Sequence, residues 1–294
     1  MSASTGLAPS AIALVALLCA SWGLAQVGMK VAGEAISPLV HAGMRSILAI
    51  PVLLLWCRIR GVVVFRRDGS LPAGILAGTL FAAEFWALYT ALGLTTASRA
   101  GVLLYTAPFF AVLGAHFFVP SDRLTARKLG GMVLAFGGVL LAFADSLGGS
   151  GAALLGDAMA LLAGALWGAT IATIKATRLT RIAPERTLLY QLAASALLLP
   201  LGFAIGERGI VGATAITWIS LTYQVLGVAV ASYAAWFWLV SRHPASRLAP
   251  FLFLTPVFGV SLGALLLGEP VTWTLLGALA LIGAGIWVVN RAPG

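Results

Sequence analysis

Apolar runs of about 20 residues, separated by short polar stretches, recur along the whole chain. A helix of that length crosses a hydrocarbon core about 30 Å thick. The runs are continuous and lack the alternation of barrel strands, and only helices and closed barrels satisfy their own backbone hydrogen bonds in lipid. The pattern predicts ten transmembrane helices, over residues 10–29, 37–57, 71–91, 98–118, 127–145, 153–174, 185–205, 214–239, 246–267 and 272–290.

The composition leads to the same class. The 294 residues are 61% apolar and 9% charged, whereas soluble domains are roughly 45–50% apolar and about 25% charged. No stretch outside the apolar runs is long enough for a separate soluble domain. We therefore expect an all-α protein embedded in the lipid bilayer.

The net charge of +9 raises the possibility of a nucleic-acid partner. Nucleic-acid binding requires basic residues clustered on a folded soluble face, and here they lie in short loops. We expect no nucleic-acid partner.

If the N-terminus is cytoplasmic, fourteen basic residues fall on the cytoplasmic side and only Lys30, Arg99 and Arg208 fall outside, with Arg45 inside a run. The positive-inside bias thus predicts that both termini are cytoplasmic.

Two segments of the chain are nearly the same. ASRAGVLLYTAP covers residues 97–108 and ASRLAPFLFLTP covers residues 245–256, 148 positions later. Other pairs keep almost the same offset: Trp22-Gly23 with Trp167-Gly168, Lys30 with Lys175, and Asp122 with Glu269. Five predicted helices separate the copies, and an odd number of crossings reverses direction. The sequence predicts two five-helix halves of opposite orientation, residues 1–147 and 148–294.

Inverted halves are typical of secondary transporters, whose binding site lies near the membrane midplane between the repeats. We therefore expect a central cavity that opens alternately to the two sides. The duplicated segment would be one gate element used twice. A duplication that merely built a larger bundle remains the alternative.

The stretches LLCASWGLAQVGMK, ASRAGVLLYTAP and DRLTARKLGGMVLAFGGVLL, with their counterparts LLAGALWGATIATIK, ASRLAPFLFLTP and GEPVTWTLLGALALIGAGIWV, resemble EamA-type members of the drug/metabolite transporter superfamily. The resemblance covers the whole chain and is strongest to bacterial amino acid exporters, including aromatic amino acid exporters. It implies ten helices around a central cavity and outward movement of small metabolites across the bacterial inner membrane. It also implies aromatic cavity residues at Tyr105 and Trp167. Ala107 stands where that branch often has a large aromatic residue, which leaves room for a broader range of amino acids.

Two charged residues lie inside predicted spans. Glu84 is the only acidic residue well inside one, and such residues usually face a cavity or a partner; it would bind a substrate ammonium or take up a proton. Arg45 would grip a substrate carboxylate with two parallel hydrogen bonds. Structural roles remain open for both: Glu84 as a buried neutral acid or a partner of Arg45, and Arg45 as a helix cap.

The remaining candidate residues are uncharged or lie at span ends. Gln26 would help to orient the charged end of the cargo. Lys30 and Lys175 would act in gating, or extend to the headgroups. Pro108 and Pro256 interrupt their helices near the middle and would kink them along the pathway, or bend them statically. Aromatic residues at repeat-matched positions are expected to form the cavity wall or to pack helices: Trp22, Tyr105, Trp167 and Phe253.

The sequence contains no phosphate-binding glycine loop and no His/Cys cluster with metal-ligand spacing. We expect no cofactor, no metal and no catalytic residues, because an intramembrane enzyme would need more ionisable groups than Glu84 and Arg45. The sequence predicts a secondary active or facilitative exporter of small metabolites, with amino acids as the expected cargo. Another amphipathic metabolite or drug-like cation, or a passive channel, remains the alternative. Whether the protein is a monomer or a homodimer stays open.

Overall fold

The structure, a computed structural model, describes residues 8–119, 124–147, 150–242, 248, 251–252 and 254–290. Within these ranges the chain is helical, and its only β-type pairing is an isolated bridge between Ile36 and Ile210. The α-helices are α1 (Pro9–Gly33), α2 (Pro38–Ile59), α3 (Leu71–Leu94), α4 (Ala97–Leu104), α5 (Ala107–Phe118), α6 (Ala126–Leu147), α7 (Gly151–Ala176), α8 (Pro184–Ala196), α9 (Leu198–Ala204), α10 (Ala215–Thr222), α11 (Tyr233–Arg242), α12 (Leu254–Leu267) and α13 (Trp273–Asn290).

Seven helical spans of the described chain are long and apolar enough to cross a membrane. They are Pro9–Gly33, Pro38–Ile59, Leu71–Leu94, Ala97–Phe118, Gly151–Ala176, Pro184–Ala204 and Ala215–Trp236. Two shorter apolar helices follow, Leu254–Leu267 and Trp273–Val288, and α6 occupies the fifth predicted position. The prediction of an all-α membrane protein is confirmed. That all ten segments cross the bilayer stays a prediction.

Local sequence signals set many helix starts. Proline occupies one of the first two positions of five helices, where its missing N–H has no intrahelical partner to lose: α1, α2, α3, α5 and α8. The Thr96 and Ser150 hydroxyl oxygens accept hydrogen bonds from the first turns of α4 and α7. Large apolar side chains such as Phe117, Phe136 and Leu265 are more than 60% exposed, as expected for a surface that faces lipid.

The fourth predicted span differs from the expectation of one kinked helix. It is divided into α4 and α5 by Tyr105 and Thr106, and Pro108 lies in the first turn of α5. Because proline cannot donate a backbone hydrogen bond, the helix restarts at this point rather than bending through it. The Thr106 hydroxyl satisfies the Leu103 carbonyl oxygen at 2.6 Å. Pro256 lies in the first turn of α12.

The eighth predicted span contains a structure that the sequence did not predict. Between α10 and α11, residues Tyr223–Ser232 form a π-helix of ten residues. Most π-helices are single turns, and many lie at functional sites. This segment, called the π segment below, packs against α1 and α2.

Helices of the two predicted halves pack mainly on one another. α7 lies along α3 and α5, α1 lies along α12, and α6 pairs with α13. A methyl group at Gly23 would lie 2.8 Å from the backbone nitrogen of Gly259, and one at Gly168 would lie 2.8 Å from that of Ala111. Gly259 and Ala111 are 148 positions apart, and the two glycines are 145 apart. The two close contacts are therefore equivalent under the offset of the sequence repeat.

Polar contacts between loops define the two ends of the bundle. At one end, the Glu207 carboxylate accepts hydrogen bonds from the backbone N–H groups of Leu39 and Val40, and Glu269 contacts the start of α4. We call this the Glu269 end. At the other, the Asp68 end, Asp68 in the α2–α3 loop binds Arg186 of α8.

Candidate functional site

The middle of the bundle contains polar side chains that each helix would otherwise expose to lipid. They come from α2, α3 and the π segment and are at most 5% exposed. We call the following five residues the central polar cluster: His41, Arg45, Glu84, Tyr89 and Gln224. Burying polar groups costs free energy unless they find partners, so their arrangement decides what the cluster does.

Three members of the cluster form a chain across the two predicted halves. The Tyr89 hydroxyl donates to Oε1 of Gln224 at 2.8 Å, and Nε2 of Gln224 lies 3.3 Å from Nε2 of His41. The His41 and Tyr89 rings meet edge to face, with centroids 4.5 Å apart. Gln224 therefore links the π segment to α2 and α3.

Arg45 and Glu84, a basic and an acidic residue, lie in the same region. The guanidinium carbon of Arg45 lies 4.3 Å from the centroid of the Phe85 ring, a cation–π contact. The charge of Arg45 acts on Glu84, His41, and Tyr89. Nevertheless, Nη1 of Arg45 and Oε2 of Glu84 are buried without a hydrogen-bond partner among the described residues. The cluster thus holds a donor and an acceptor that are not satisfied by each other.

A second polar group lies beside α4 and α12. Oε1 of Gln26 and Oγ1 of Thr255 are also buried without a hydrogen-bond partner in the described part of the chain. The Tyr105 ring meets the Trp167 ring edge to face at 5.6 Å. Thr255 and Tyr233 both lie near Tyr105.

The other aromatic candidates are separated. Nε1 of Trp22 donates to Oγ of Ser232 in the π segment at 2.8 Å, and its ring meets Trp236 edge to face at 5.8 Å. Trp22 and Trp167 therefore have different partners, although the repeat matches them. Phe253, the fourth aromatic candidate, lies outside the described residues.

Lys30 and Lys175 occupy opposite ends of the bundle. Nζ of Lys30 donates to the carbonyl oxygen of Leu92 at 3.0 Å and to that of Thr95, so it caps the end of α3. Lys175 lines a cavity of about 550 Å³ at the Asp68 end. Lys30 lines another, of about 360 Å³, at the Glu269 end.

The Glu269 end is closed over α4. The Glu269 carboxylate, 8% exposed, accepts hydrogen bonds from the backbone N–H groups of Ala97 at 2.6 Å and Ser98 at 2.9 Å, and from the Ser98 hydroxyl at 2.5 Å. A carboxylate is stabilised at a helix N-terminus by these donors and by the helix dipole. We call this contact the Glu269 latch.

A second ionic contact adjoins the latch. Arg99 of α4 donates through Nε and Nη2 to the carboxylate of Asp157 in α7. The Thr95 hydroxyl donates to the same carboxylate at 2.8 Å. Asp157 is fully buried, so these hydrogen bonds replace the contacts with water that its carboxylate has lost.

The Asp68 end has its own contacts between the halves. Arg186 donates to the Asp68 carboxylate and to the Val64 carbonyl oxygen, and the Tyr190 hydroxyl pairs with that of Ser70 at 3.1 Å. The hydrogen bond from Arg186, with a smaller contribution from Ser70, holds the pKa of Asp68 below its usual range.

Among the described residues, no three His, Cys, Asp or Glu side chains come together as a metal-ligand set. The described residues offer buried donors and acceptors, aromatic rings beside them, and charged contacts at both ends of the bundle.

Sequence reasoning singled out Arg45, Glu84 and Gln26, whose roles stay predictions, and did not single out the neutral members of the central polar cluster. Gln224 contacts His41 and Tyr89, which lie 183 and 135 positions away in the sequence. Tyr89 and Thr255 carry no signal that separates them from packing residues. Asp157 lies four positions inside the sixth predicted span. An acidic residue within an apolar run was the signal that could have identified it.

Comparison with known proteins gives concordant results. Residues 9–144 and 154–291 each match the EamA-like transporter family. A "Probable amino-acid metabolite efflux pump" of Salmonella typhimurium is 30% identical over 94% of this chain and 93% of its own length. A protein of the same name in Escherichia coli is 29% identical over the same shares. A solved crystal structure, 20% identical, superposes with a TM-score of 0.66 over 95% of this chain and 97% of the other, which indicates a shared fold.

Proposed function

The chain belongs to the EamA-like transporter family, and from that premise we propose that it exports amino acids across the bacterial inner membrane by alternating access. It is a multi-pass membrane protein that transports small molecules and not an enzyme. The identity of the cargo, the direction and the mechanism are the parts that we propose.

The observation that carries the proposal is the set of buried polar atoms without partners. Among the described residues, Arg45, Glu84, Gln26 and Thr255 each present such an atom between helices of the bundle. A protein loses roughly 1–3 kcal/mol for each such group that stays unpaired, so their retention in a bundle interior favours a role in binding. A small zwitterion that presents both donors and acceptors is the cargo that suits them, and the printed names of the two bacterial relatives agree with it.

Alternating access rests on the internal repeat. The equivalent contacts of Gly23 with Gly259 and of Gly168 with Ala111 support two halves, residues 1–147 and 148–294, of opposite orientation. In such transporters the halves exchange conformations around a site between them. Gln224 supports this placement because it joins the predicted second half to His41 and Tyr89 of the first.

We propose that the Asp68 end faces the cytoplasm, with both termini on that side. At this end, Arg186 donates a hydrogen bond to the Arg66 carbonyl oxygen, and Arg178 donates one to the Asp68 carbonyl oxygen. The positive-inside bias favours the cytoplasm for such basic loops. The Glu269 end would then face outward. The latch closes it in the conformation described here.

The aromatic residues contribute the apolar part of the proposed site. Tyr105 and Trp167 lie together beside Thr255, and Trp22 holds the π segment through Ser232. Phe253 remains a proposed wall residue on the basis of its repeat position alone. We infer that these rings contact the cargo side chain, while the polar cluster binds its charged groups.

An organic cation is the second candidate cargo, favoured by one observation. Glu84 is a buried carboxylate with an unpaired oxygen, which would also suit a cation that carries no carboxylate. Arg45 argues against this cargo, because its positive charge acts on Glu84 from the neighbouring helix.

Counterflow in proteoliposomes tests the proposal. Vesicles with the purified protein are preloaded with unlabelled threonine, methionine or tryptophan, and the same labelled amino acid is added outside. We expect the label to accumulate transiently for at least one of them, with protein-free vesicles as the control. A complete lack of counterflow with any amino acid, while an organic cation is exchanged, would reject amino acids as the cargo.

A further inference from the structure

We propose that Arg45 and Glu84 form the two ends of a binding site for a zwitterionic α-amino acid, with Arg45 binding the carboxylate and Glu84 the ammonium. The inference rests on the proposed function and names the cargo chemistry and the groups that recognise it. The three neutral members of the central polar cluster act as positioning residues for this site.

The burial of the two charges is the first reason. Arg45 and Glu84 are each 5% exposed, and they lie on adjoining helices, α2 and α3. A charged side chain inside a membrane helix is costly and is usually retained for a pathway or a binding site. A purely structural pair would be expected to satisfy its own hydrogen-bonding atoms.

The unsatisfied atoms are the second reason. Nη1 of Arg45 is a donor and Oε2 of Glu84 is an acceptor, and neither has a hydrogen-bond partner among the described residues. A simple anion would satisfy only Arg45, and a simple cation only Glu84. An α-amino acid carries a carboxylate and an ammonium on one carbon, so one molecule satisfies both atoms.

The surroundings of Arg45 are the third reason. Its guanidinium carbon lies 4.3 Å from the centroid of the Phe85 ring. This cation–π contact provides no hydrogen-bond acceptor for the N–H groups at Nη1. A carboxylate can accept two parallel hydrogen bonds from a guanidinium.

The neutral residues connect the site to the second half of the chain. Tyr89 follows Phe85 by one helical turn and donates to Gln224, which in turn contacts His41. Gln224 is the second residue of the π segment and links it to α2 and α3. Among the described residues, His41, Tyr89 and Tyr233 are further ionisable groups that lie close to Arg45 or Glu84.

Competition with analogues that lack one charge tests the assignment. Counterflow of a labelled amino acid is measured in proteoliposomes with increasing amounts of the unlabelled amino acid, its amide, or its N-acetyl derivative. In the wild-type protein we expect both analogues to compete at least about 10-fold more weakly, because each loses hydrogen bonds to a charged group.

The variants should separate the two ends of the site. Arg45→Gln should abolish the discrimination against the amide and leave that against the N-acetyl derivative, whereas Glu84→Gln should do the reverse. Arg58→Gln on the same helix and Glu34→Gln, both at exposed positions, should keep wild-type discrimination. If Arg45→Gln does not fold, Arg45→Lys is used in its place. Lysine keeps the positive charge but lacks the planar guanidinium, so we expect a partial loss of discrimination against the amide.

The outcomes distinguish this inference from the proposed function. If the wild-type protein exchanges amino acids but Glu84→Gln and the folded Arg45 variant discriminate as the wild type does, Arg45 and Glu84 do not bind the cargo, while the proposed function stands. If the wild-type protein exchanges no amino acid, the proposed function fails first.

Discussion

The hydroxyl of Ser98 donates a hydrogen bond to the carboxylate of Glu269, which ties the first turn of α4 to the loop before α13. α4 is only eight residues long and ends at Leu104, and the helix restarts at Ala107, just before Pro108. One end of this short helix is therefore latched at the bundle surface, and its other end adjoins Trp167 and the proposed cargo site. The geometry suits a gate that moves about Tyr105 and Thr106.

Weakening the latch should open this end. In Glu269→Gln, an amide replaces the carboxylate that accepts hydrogen bonds from the start of α4 in the wild-type protein. The probe is a cysteine introduced at Ala100, which is fully buried. We expect its alkylation to become about 10-fold faster in the variant. The labelling is done with Cys19 and Cys57 replaced by alanine. Glu207→Gln is the matched control, because Glu207 caps the long helix α2 at the same end. Equal alkylation rates in both variants would exclude the latch as a gate.

The buried ion pair next to the latch should matter for stability. Asp157→Asn removes the carboxylate charge that Arg99 binds in α7, and breaking a buried pair costs about 3–5 kcal/mol. We expect a clear fall in the thermal unfolding midpoint of the purified protein in detergent. Arg99→Gln combined with Asp157→Asn should recover part of the loss. If Asp157→Asn unfolds at the wild-type temperature, the pair does not stabilise the closed end.

The close helix contacts should tolerate no added methyl group. In Gly168→Ala the new methyl would lie 2.5 Å from Cβ of Phe110 and 2.6 Å from the Ala107 carbonyl oxygen. Such overpacking costs about 1–3 kcal/mol. Gly23→Ala should behave similarly, because its surroundings are equivalent. At Gly130 an added methyl group would have no atom within 4 Å, so Gly130→Ala should unfold at or slightly above the wild-type temperature. If Gly130→Ala lowered the unfolding temperature as much as Gly168→Ala, the close contacts would not be the cause.

Acid should weaken the Asp68 end in a defined direction. Because Arg186 and Ser70 hold the pKa of Asp68 below its usual range, the unfolded chain binds a proton at this residue at a higher pH than the folded one. The contribution of Asp68 is thus complete above its ordinary pKa of about 3.9 and is lost as the pH falls through the lower folded value. Wild type should unfold at a higher temperature than Asp68→Asn at pH 7, and the difference should shrink below about pH 4. A difference that is independent of pH would contradict this.

Much of the fold could be predicted because membrane helices follow from long apolar runs. All thirteen described α-helices lie inside or beside the ten predicted spans. The division of the fourth span at Tyr105 and Thr106 was not predicted. It also gave no sign of the π segment at Tyr223–Ser232. A change from α to π winding depends on packing against α1 and α2, and no residue type in YQVLGVAVAS requires it.

The candidate site was predictable only in its charged part. Arg45 and Glu84 stood out because a charge within an apolar run needs a reason. His41, Tyr89 and Gln224 did not, since neutral polar residues in such runs are usually satisfied within their own bundle. Their association depends on contacts between distant helices. Lys30 shows the reverse case, because a residue expected at the headgroups or in gating donates to the carbonyl oxygens of α3.

Trans-acceleration tests the central claim, a carrier that alternates between its two ends, most directly. Proteoliposomes are loaded with a labelled amino acid, and its initial efflux is followed with and without the same unlabelled amino acid outside. We predict an efflux that saturates with cargo concentration and becomes several-fold faster when cargo is present outside. An efflux that rises linearly with concentration and ignores external cargo would contradict alternating access and indicate a passive channel.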